Sequence, residues 1–156
     1  SPAPMHGRAL ALDVGDRRVG VAVSDPTGTI ARPLTTIERA SRQEDFAAVA
    51  RLVAAHEAVL IVVGRPLSLD GSEGPQARKV TRYAEALSRQ VQVPVVYYDE
   101  RYSTSEASEI MRARRPLARQ SGQPGGALDA IAAAVILQRY LDNQAGVLNL
   151  DTPDKE

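Results

Sequence analysis

Cysteine and tryptophan are absent from this chain, and aromatic residues make up only 4% of it. Without cysteine the chain can form neither disulfides nor thiolate metal sites, so any metal must bind oxygen ligands or one of the two histidines. The longest apolar runs, such as residues 58–63, are far too short to span a bilayer. With no leader of basic and apolar residues, the sequence predicts a soluble, cytoplasmic protein.

Length and charge predict a single domain followed by a tail. A chain of 156 residues suits one domain, and its 19 basic and 19 acidic residues balance. The balance argues against a protein that coats nucleic acid nonspecifically. Acidic residues dominate residues 142–156, which leaves residues 1–141 net basic by three. We therefore expect one domain over residues 1–141 and an acidic, poorly ordered tail over residues 142–156.

The stretch ALALDVGDRRVGVAVSD, residues 9–25, predicts a β-hairpin, because two apolar segments flank a polar turn that contains Gly15. The two-residue period of a strand places Asp13 on one face with Ala9 and Ala11. A carboxylate among apolar neighbours needs a partner, a cation or a raised pKa. Two interpretations stay open: Asp13 caps the turn through Gly15, or it has a metal-binding or catalytic role.

The rest of the sequence alternates between strand and helix patterns. Pro33 predicts that the third strand lies at a sheet edge, and the unbroken apolar run at residues 58–63 predicts a parallel strand near the sheet centre. Further strands are predicted at residues 29–38, 58–63 and 94–98, and helices from the Ser41 and Glu44 capping box to His56, from Pro75 to Leu87, from about 104 to 111 and from about 127 to 141. A loop rich in arginine, proline and glycine is predicted at residues 112–126.

Two further places in the sequence carry acidic residues that are candidates for a site, and the first lies where ligands collect in α/β sheets. Asp99 and Glu100 follow the strand at residues 94–98, at its carboxyl end. Asp129 lies near the start of the last helix and shares a face with Ala132 and Ala133. Asp129 could equally be answering the helix dipole, so both interpretations of this residue stay open.

Three strands followed by helix, strand, helix, strand and two helices is the element order of the ribonuclease H-like fold. The segments DVGDRRVGVAVSD, GRPLSLDGSEGPQA, DERYST and DAIAAAVILQRYL resemble, in that order, the YqgF family of Holliday junction resolvases, also described as pre-16S ribosomal RNA nucleases. The resemblance covers residues 9–141. It implies an α/β fold with a five-stranded mixed sheet, three antiparallel strands and then two parallel ones, flanked by helices.

The resemblance implies a metal-dependent endonuclease with Asp13, Glu100 and Asp129 as its catalytic and metal-binding residues. Carboxylates brought together repel one another, so Mg²⁺ or Mn²⁺ is their natural partner. The implied substrates are Holliday junction DNA, the 5′ end of the 16S ribosomal RNA precursor, or both. A two-fold homodimer would suit symmetric junction cleavage, although no stretch of sequence identifies an interface.

Seventeen of the nineteen cations are arginine, whose planar guanidinium suits phosphate. The arginines expected to contact the nucleic-acid backbone are Arg18, Arg65, Arg101, Arg112, Arg114 and Arg115. Only Tyr97, Tyr98 and Tyr102 are candidates for stacking on bases, so recognition of backbone or shape is favoured over recognition of single strands.

Two other function classes use the same features differently. The motif Asp13-x-Gly15 also resembles the phosphate loop of actin-like and sugar-kinase ATPases, but those enzymes enclose a nucleotide between two such domains. One domain of this length would supply only one wall. A non-catalytic nucleic-acid-binding or regulatory module is the other alternative, in which the carboxylates would only hold structure.

Overall fold

The computed structural model describes residues 7–100 and 125–151, and these build a five-stranded mixed sheet. The strand order across the sheet is β3-β2-β1-β4-β5. β1 and β3 are antiparallel to β2, whereas β4 and β5 run parallel to β1. The elements are β1 (Arg8–Val14), β2 (Arg18–Ser24), β3 (Ala31–Glu38), α1 (Arg42–His56), β4 (Ala58–Arg65), α2 (Pro75–Ser88), β5 (Val95–Asp99) and α3 (Gly125–Asp151). The predicted sheet is thereby confirmed.

β1 and β2 form the predicted hairpin at the middle of the sheet. The Gly15 amide donates to the Arg18 carbonyl oxygen at 2.9 Å and closes the turn. In this register Asp13 stands opposite Gly20. β3 is an edge strand, as Pro33 predicted, because proline cannot donate a ladder hydrogen bond.

α1 and α2 pack on the same face of the sheet, and they begin where Ser41 and Pro75 predicted. The Ser41 hydroxyl accepts the Glu44 amide at 3.1 Å and caps α1. α2 begins at Pro75, whose missing N–H costs nothing in the first turn. β4 is an interior strand between β1 and β5, which fits its apolar sequence.

Alternate residues of the same strands make two different cores. Large side chains such as Leu10, Leu12 and Ile61 pack under α1 and α2. Small residues such as Ala9 and Ala11 face α3. The sheet therefore has a bulky face and a thin face, and a helix can approach the thin face closely.

Several predicted boundaries differ from the structure, and the last helix differs most. β3 begins at Ala31, β4 continues to Arg65, and β5 spans Val95–Asp99. α3 runs from Gly125 to Asp151, so the predicted end at 141 was too early and the boundary at 142 falls inside a helix. No proline follows until Pro153, and one internal glycine costs a helix only about 1 kcal/mol.

The predicted helix at 104–111 and the loop at 112–124 lie outside the described residues. Residues 125 and 126, predicted to end that loop, belong to α3 instead. In the part of the chain that the structure describes, no helix has the length and apolarity needed to cross a membrane.

Candidate active site

Asp13 lies near the carboxyl end of β1 and is half-buried. Strand alternation places it on the same side as Ala9 and Ala11, which belong to the core under α3. The backbone bond from Gly15 to Arg18 closes the turn that follows. Asp13 is thus a carboxylate at the carboxyl end of a central strand, on the face of the sheet that the last helix covers.

Glu100 follows β5 directly and reaches over the end of β4. A Cβ atom built on Gly64 would stand 2.9 Å from Glu100 Oε2 and 2.6 Å from Ile136 Cδ1. Gly64 therefore leaves the space in which the glutamate side chain lies between the sheet and α3. Burial, together with the negative charges of Asp13 and Asp99, raises the pKa of Glu100 to about 7.

Asp129 reaches the site because α3 packs directly on the backbone of β2. A Cβ atom on Gly20 would overlap the carbonyl of Asp129, so only glycine permits this approach. Gly20 is also the residue opposite Asp13 in the hairpin. The fold thereby brings the helix backbone at Asp129 beside the strand pair that carries Asp13.

The Asp129 carboxylate is held by an arginine from the hairpin. Arg18 Nε lies 2.7 Å from Asp129 Oδ2, and about a third of each side chain is exposed. The hydrogen bond and the charge of Asp129 raise the pKa of Arg18. α3 has no acidic residue in its first turn, and the helix dipole acts mainly within that turn. Asp129 therefore lies beyond the turn where the dipole acts, and its partner in the structure is Arg18.

The three predicted carboxylates are brought to one region without forming a closed cluster. Asp13 and Glu100 interact electrostatically, whereas Asp129 pairs with Arg18. Within residues 7–100 and 125–151, no three histidine or acidic side chains converge closely enough to hold a metal ion. The donor chemistry still suits a hard divalent cation, because Asp13, Asp99 and Glu100 are carboxylates and a cation would relieve the repulsion that Asp13 and Asp99 exert on Glu100. The three-carboxylate metal site stays a prediction.

The predicted arginine contacts divide into two groups. Arg18 pairs with Asp129, and the Arg65 guanidinium lies 4.6 Å from the centroid of the Tyr97 ring and 3.9 Å from Glu73 Oε2. Arg18 is therefore held beside Asp129, whereas Arg65 is held at the end of β4 against Tyr97, which packs on the core under α1 and α2. The predicted contacts that lie outside the described residues are Arg101, Arg112, Arg114 and Arg115.

The sequence patterns did not predict three features of the site. Asp99 adds negative charge at Glu100, and its place beside Glu100 at the strand end could have indicated this. Gly20 and Gly64 provide space for Asp129 and Glu100, and a glycine inside a strand pattern is a known indication of close approach. The pair of Arg18 and Asp129 spans 111 residues, and no local pattern predicts it.

Comparison with known proteins gives sequence relatives over most of the chain. The family model described as "RuvX: Holliday junction resolvase" matches residues 7–143. A protein of Thermoanaerobacter pseudethanolicus named "Putative pre-16S rRNA nuclease" is 40% identical over 88% of this chain and 97% of its own length. A protein of the same name from Anaeromyxobacter dehalogenans is 44% identical over 88% of this chain and 98% of its own.

Solved structures share the fold at low sequence identity. RuvC of Thermus thermophilus superimposes with a TM-score of 0.53 at 15% identity, covering 89% of this chain and 96% of its own. RuvC of the same organism in complex with a Holliday junction substrate gives a TM-score of 0.50 at 16% identity, covering 84% of this chain and 92% of its own. The fold is therefore that of the ribonuclease H-like resolvases. Together with the match over residues 7–143, this confirms the predicted resemblance, and the chain belongs to the RuvX family of Holliday junction resolvases.

Proposed function

We propose that this member of a nuclease family is a divalent-metal-dependent endonuclease whose metal ligands and catalytic residues are Asp13, Glu100 and Asp129. Family membership supports hydrolysis of phosphodiester bonds. The choice of residues rests on the acidic region at the carboxyl ends of β1 and β5, where α/β sheets bind their ligands. Mg²⁺ and Mn²⁺ are the proposed ions, because the available donors are carboxylate oxygens.

The observation that carries the proposal is the environment of Glu100. Its side chain is partly buried, and its pKa is raised to about 7 by that burial and by Asp13 and Asp99. Such an arrangement opposes folding at neutral pH unless something compensates for the charge. Residues kept in an unfavourable electrostatic state often serve function, because catalytic sites concentrate perturbed carboxylates.

Asp13, Glu100 and Arg18 would have different roles at the proposed site. A bound Mg²⁺ or Mn²⁺ would supply positive charge at the scissile phosphate and make water a stronger nucleophile. Asp13 and Glu100 would hold that ion between the sheet and α3. Arg18, which pairs with Asp129, would orient that carboxylate and offer its exposed edge to a neighbouring phosphate.

Arg65 is the second proposed phosphate contact. Its guanidinium lies against the Tyr97 ring, and Glu73 lies 3.9 Å away. These neighbours limit its movement, so a phosphate at the end of β4 would meet a donor that is already oriented. The arginines at 101, 112, 114 and 115 stay predicted contacts.

For the substrate we propose structured nucleic acid, with the 16S ribosomal RNA precursor as the first candidate. The relatives at 40% to 44% identity carry that substrate in their names, whereas the junction-bound RuvC is 16% identical. Branched DNA is the second candidate, because bent duplex backbone is common to both substrates. The homodimer and the cytoplasmic location stay predictions.

A cleavage assay tests the function, the ion and the substrate together. Chelated protein is mixed with labelled precursor RNA or with four-way junction DNA, and Mg²⁺ or Mn²⁺ is then added. We expect cleavage only with an ion present, and loss of cleavage in Asp13→Asn and Glu100→Gln. Glu57→Gln is the matched control, because Glu57 is an exposed residue at the end of α1.

Calorimetric titration with Mn²⁺ separates ion binding from cleavage. Asp13→Asn and Glu100→Gln should bind Mn²⁺ more weakly than Glu57→Gln while unfolding cooperatively. Cleavage that persists in the folded Asp13→Asn protein, or that needs no divalent ion, would contradict the proposal.

A non-catalytic nucleic-acid-binding module is the second candidate, and the pair of Arg18 and Asp129 favours it. Among the described residues, that pair commits one of the three carboxylates to a structural partner. In this case the unmodified protein would bind the RNA but would not cleave it, whether Mg²⁺ or Mn²⁺ is added. Asp129→Asn would then lower the free energy of unfolding and leave RNA affinity unchanged.

A further inference from the structure

A cavity on the bulky face of the sheet has no role in the proposed active site. It has a volume of about 250 Å³ and lies between the β1–β2 turn, the start of α1 and the first two turns of α2. Its lining contains four cations and one carboxylate, which are Arg39, Arg42, Lys79, Arg82 and Asp16.

One of the four cations, Arg39, has structural partners in the fold. Arg39 Nη1 donates to the Gly15 carbonyl oxygen at 2.7 Å, and Arg39 Nε lies 3.5 Å from the buried carboxylate of Asp45. Its guanidinium also lies 4.6 Å from the centroid of the Tyr83 ring. Arg39 therefore fixes the hairpin turn against α1 and α2, and its charge is partly balanced by Asp45.

The other three cations have little structural purpose. Arg42, Lys79 and Arg82 are exposed around the opening, and Arg42 and Arg82 form no ion pair with any described residue. Lys79 Nζ lies 3.8 Å from Asp16 Oδ1, but both side chains are mostly exposed. An exposed pair of this kind contributes little to stability.

The start of α2 adds to the positive potential of the cavity, whereas the start of α1 is capped by Ser41 and has Glu44 and Asp45 in its first turn. Arg42 is the first residue of α1, where a cation opposes the helix dipole. α2 has no acidic residue in its first turn, and its N-cap Gly74 provides no side-chain acceptor. The first amides of α2, beside the lining residue Gln76, therefore have no side-chain cap. A negatively charged group bound here would lie near the start of α2 and the cations together.

We propose that this cavity binds a phosphate of the nucleic-acid substrate at a distance from the cleaved bond. The turn that carries Gly15 and Asp16 follows the end of β1, one residue after Asp13, so the cavity and the acidic region lie at the same end of this strand on opposite faces of the sheet. A backbone that bends over this edge would contact both. The inference rests on the proposed nuclease function, which supplies the nucleic acid.

The cavity fits a phosphate better than a base. Tyr83, the one aromatic residue among the described residues that line it, is 1% exposed and offers no ring face for stacking. Arginine guanidinium groups bind phosphate through two parallel hydrogen bonds, and such contacts carry no sequence information. We therefore expect the cavity to strengthen binding and set its register without selecting a sequence.

The test compares two double variants that remove the same charge from the same two helices. Arg42→Gln with Arg82→Gln removes two cations from the cavity rim, whereas Arg51→Gln with Arg89→Gln removes exposed arginines on α1 and at the C-cap of α2. Affinity for a fluorescein-labelled RNA hairpin is measured by anisotropy in chelator, over a range of salt concentrations.

The rim variant should bind about tenfold more weakly and lower the slope of log affinity against log salt by about 1 to 2, one for each lost phosphate contact. The control variant should stay within about twofold of the unmodified protein. Asp16→Asn removes the one carboxylate of the rim and should tighten binding, which a misfolded variant would not do. Equal weakening in both double variants, or no effect of Asp16→Asn, would overturn the proposal.

A free anion is distinguished by titrating inorganic phosphate into the unmodified protein and following the amide resonances of Gln76 and Lys79 by NMR. Shifts there, together with unchanged RNA affinity in the rim variant, would identify a site for small anions and overturn the backbone proposal. Failure of the nuclease proposal would appear differently, as intact RNA binding with no cleavage in either ion.

Discussion

The two faces of one sheet differ in the size of their side chains, and the difference has consequences for the site. In β1, Leu10, Leu12 and Val14 point toward α1 and α2, while the alternate residues Ala9 and Ala11 point toward α3. The bulky face is a close-packed core of leucine, valine, isoleucine and tyrosine. The thin face is a surface on which a helix can lie near the strand backbone.

Each face therefore has a separate task. Burial on the bulky face supplies stability, because free energy follows the apolar area removed from water. Close approach on the thin face supplies geometry, because Gly20 lets α3 bring Asp129 beside Asp13. Mutations on the two faces should then affect stability and cleavage in different proportions.

The largest loss of stability is expected from Leu10→Ala on the bulky face. Leu10 is 0% exposed, and removing its side chain leaves a cavity that costs about 2–5 kcal/mol. Denaturant unfolding measures this change, and cleavage should persist at temperatures where the variant is folded. Leu69→Ala is the control, because Leu69 is 93% exposed, and it should change stability by at most about 0.5 kcal/mol. Loss of cleavage in folded Leu10→Ala would contradict the division of tasks.

Gly20→Ala on the thin face should reduce cleavage more than it reduces stability. The added methyl meets the backbone of Asp129, which can yield only if α3 moves. We expect a destabilisation of about 1–3 kcal/mol and a loss of cleavage of about 100-fold, because a shift of about 1 Å is enough to misplace a catalytic group. Unfolding curves and cleavage rates are measured on the same preparation.

Gly74→Ala is the matched control for that glycine substitution. Its added Cβ would meet nothing within 4 Å, so stability and cleavage should change little. If Gly20→Ala cleaves as fast as Gly74→Ala, the close approach of α3 has no catalytic importance.

Tyr83→Phe tests a buried polar network on the bulky face. The Tyr83 hydroxyl donates to Asp45 Oδ2 at 3.1 Å, and burial with the negative charge of Asp45 raises the pKa of Tyr83. Asp45 keeps Arg39 and the Ala40 amide as partners, so we expect a loss of about 1–2 kcal/mol in denaturant unfolding and no change in cleavage.

Tyr140→Phe is the control on the thin face. Tyr140 is half-buried, and its hydroxyl makes no hydrogen bond to any described residue. Its substitution should leave the free energy of unfolding nearly unchanged. Equal losses in the two variants would mean that the bond from Tyr83 to Asp45 does not stabilise the bulky face.

The smallest effect is expected from Asp25→Asn, which belongs to neither face. Asp25 accepts amide hydrogen bonds from Ile30 at 2.8 Å and Thr29 at 2.7 Å and a hydroxyl bond from Thr27, and these hold its pKa well below its ordinary value. Because the folded protein then binds its proton more weakly than the unfolded chain, the stabilisation is present above about pH 4 and is lost as the pH falls.

Unfolding of both proteins across acidic and neutral pH measures this contribution. The unmodified protein should be more stable near neutral pH, and the difference should shrink as the solution becomes acidic. A difference that does not depend on pH would show that the Asp25 charge does not stabilise the turn.

The local features of the fold were predictable from the sequence because each depends on a few neighbouring residues. The pair Ser41 and Glu44 predicted the start of α1, Pro75 predicted the start of α2, and Pro33 predicted an edge strand. The end of α3 was predicted poorly, because polar residues at 142 and 143 can end a helix or continue it with equal ease.

The candidate site was predictable only as a set of residue types. The motifs identified Asp13, Glu100 and Asp129, and strand alternation placed Asp13 on the correct side of the sheet. The sequence did not predict that Arg18 holds Asp129 or that Asp99 adds its charge at Glu100. It also did not predict the cationic cavity, whose lining comes from three separate elements.

The sequence by itself determined the order of the elements, their starts and the two-sided pattern of the sheet, since periodicity and capping act over a few residues. Only the tertiary structure decided which charges meet. Arg18 and Asp129 are 111 residues apart, and their contact exists because Gly20 lets a helix lie on the sheet backbone. Such a contact depends on the distance between packed elements, which no short-range pattern encodes.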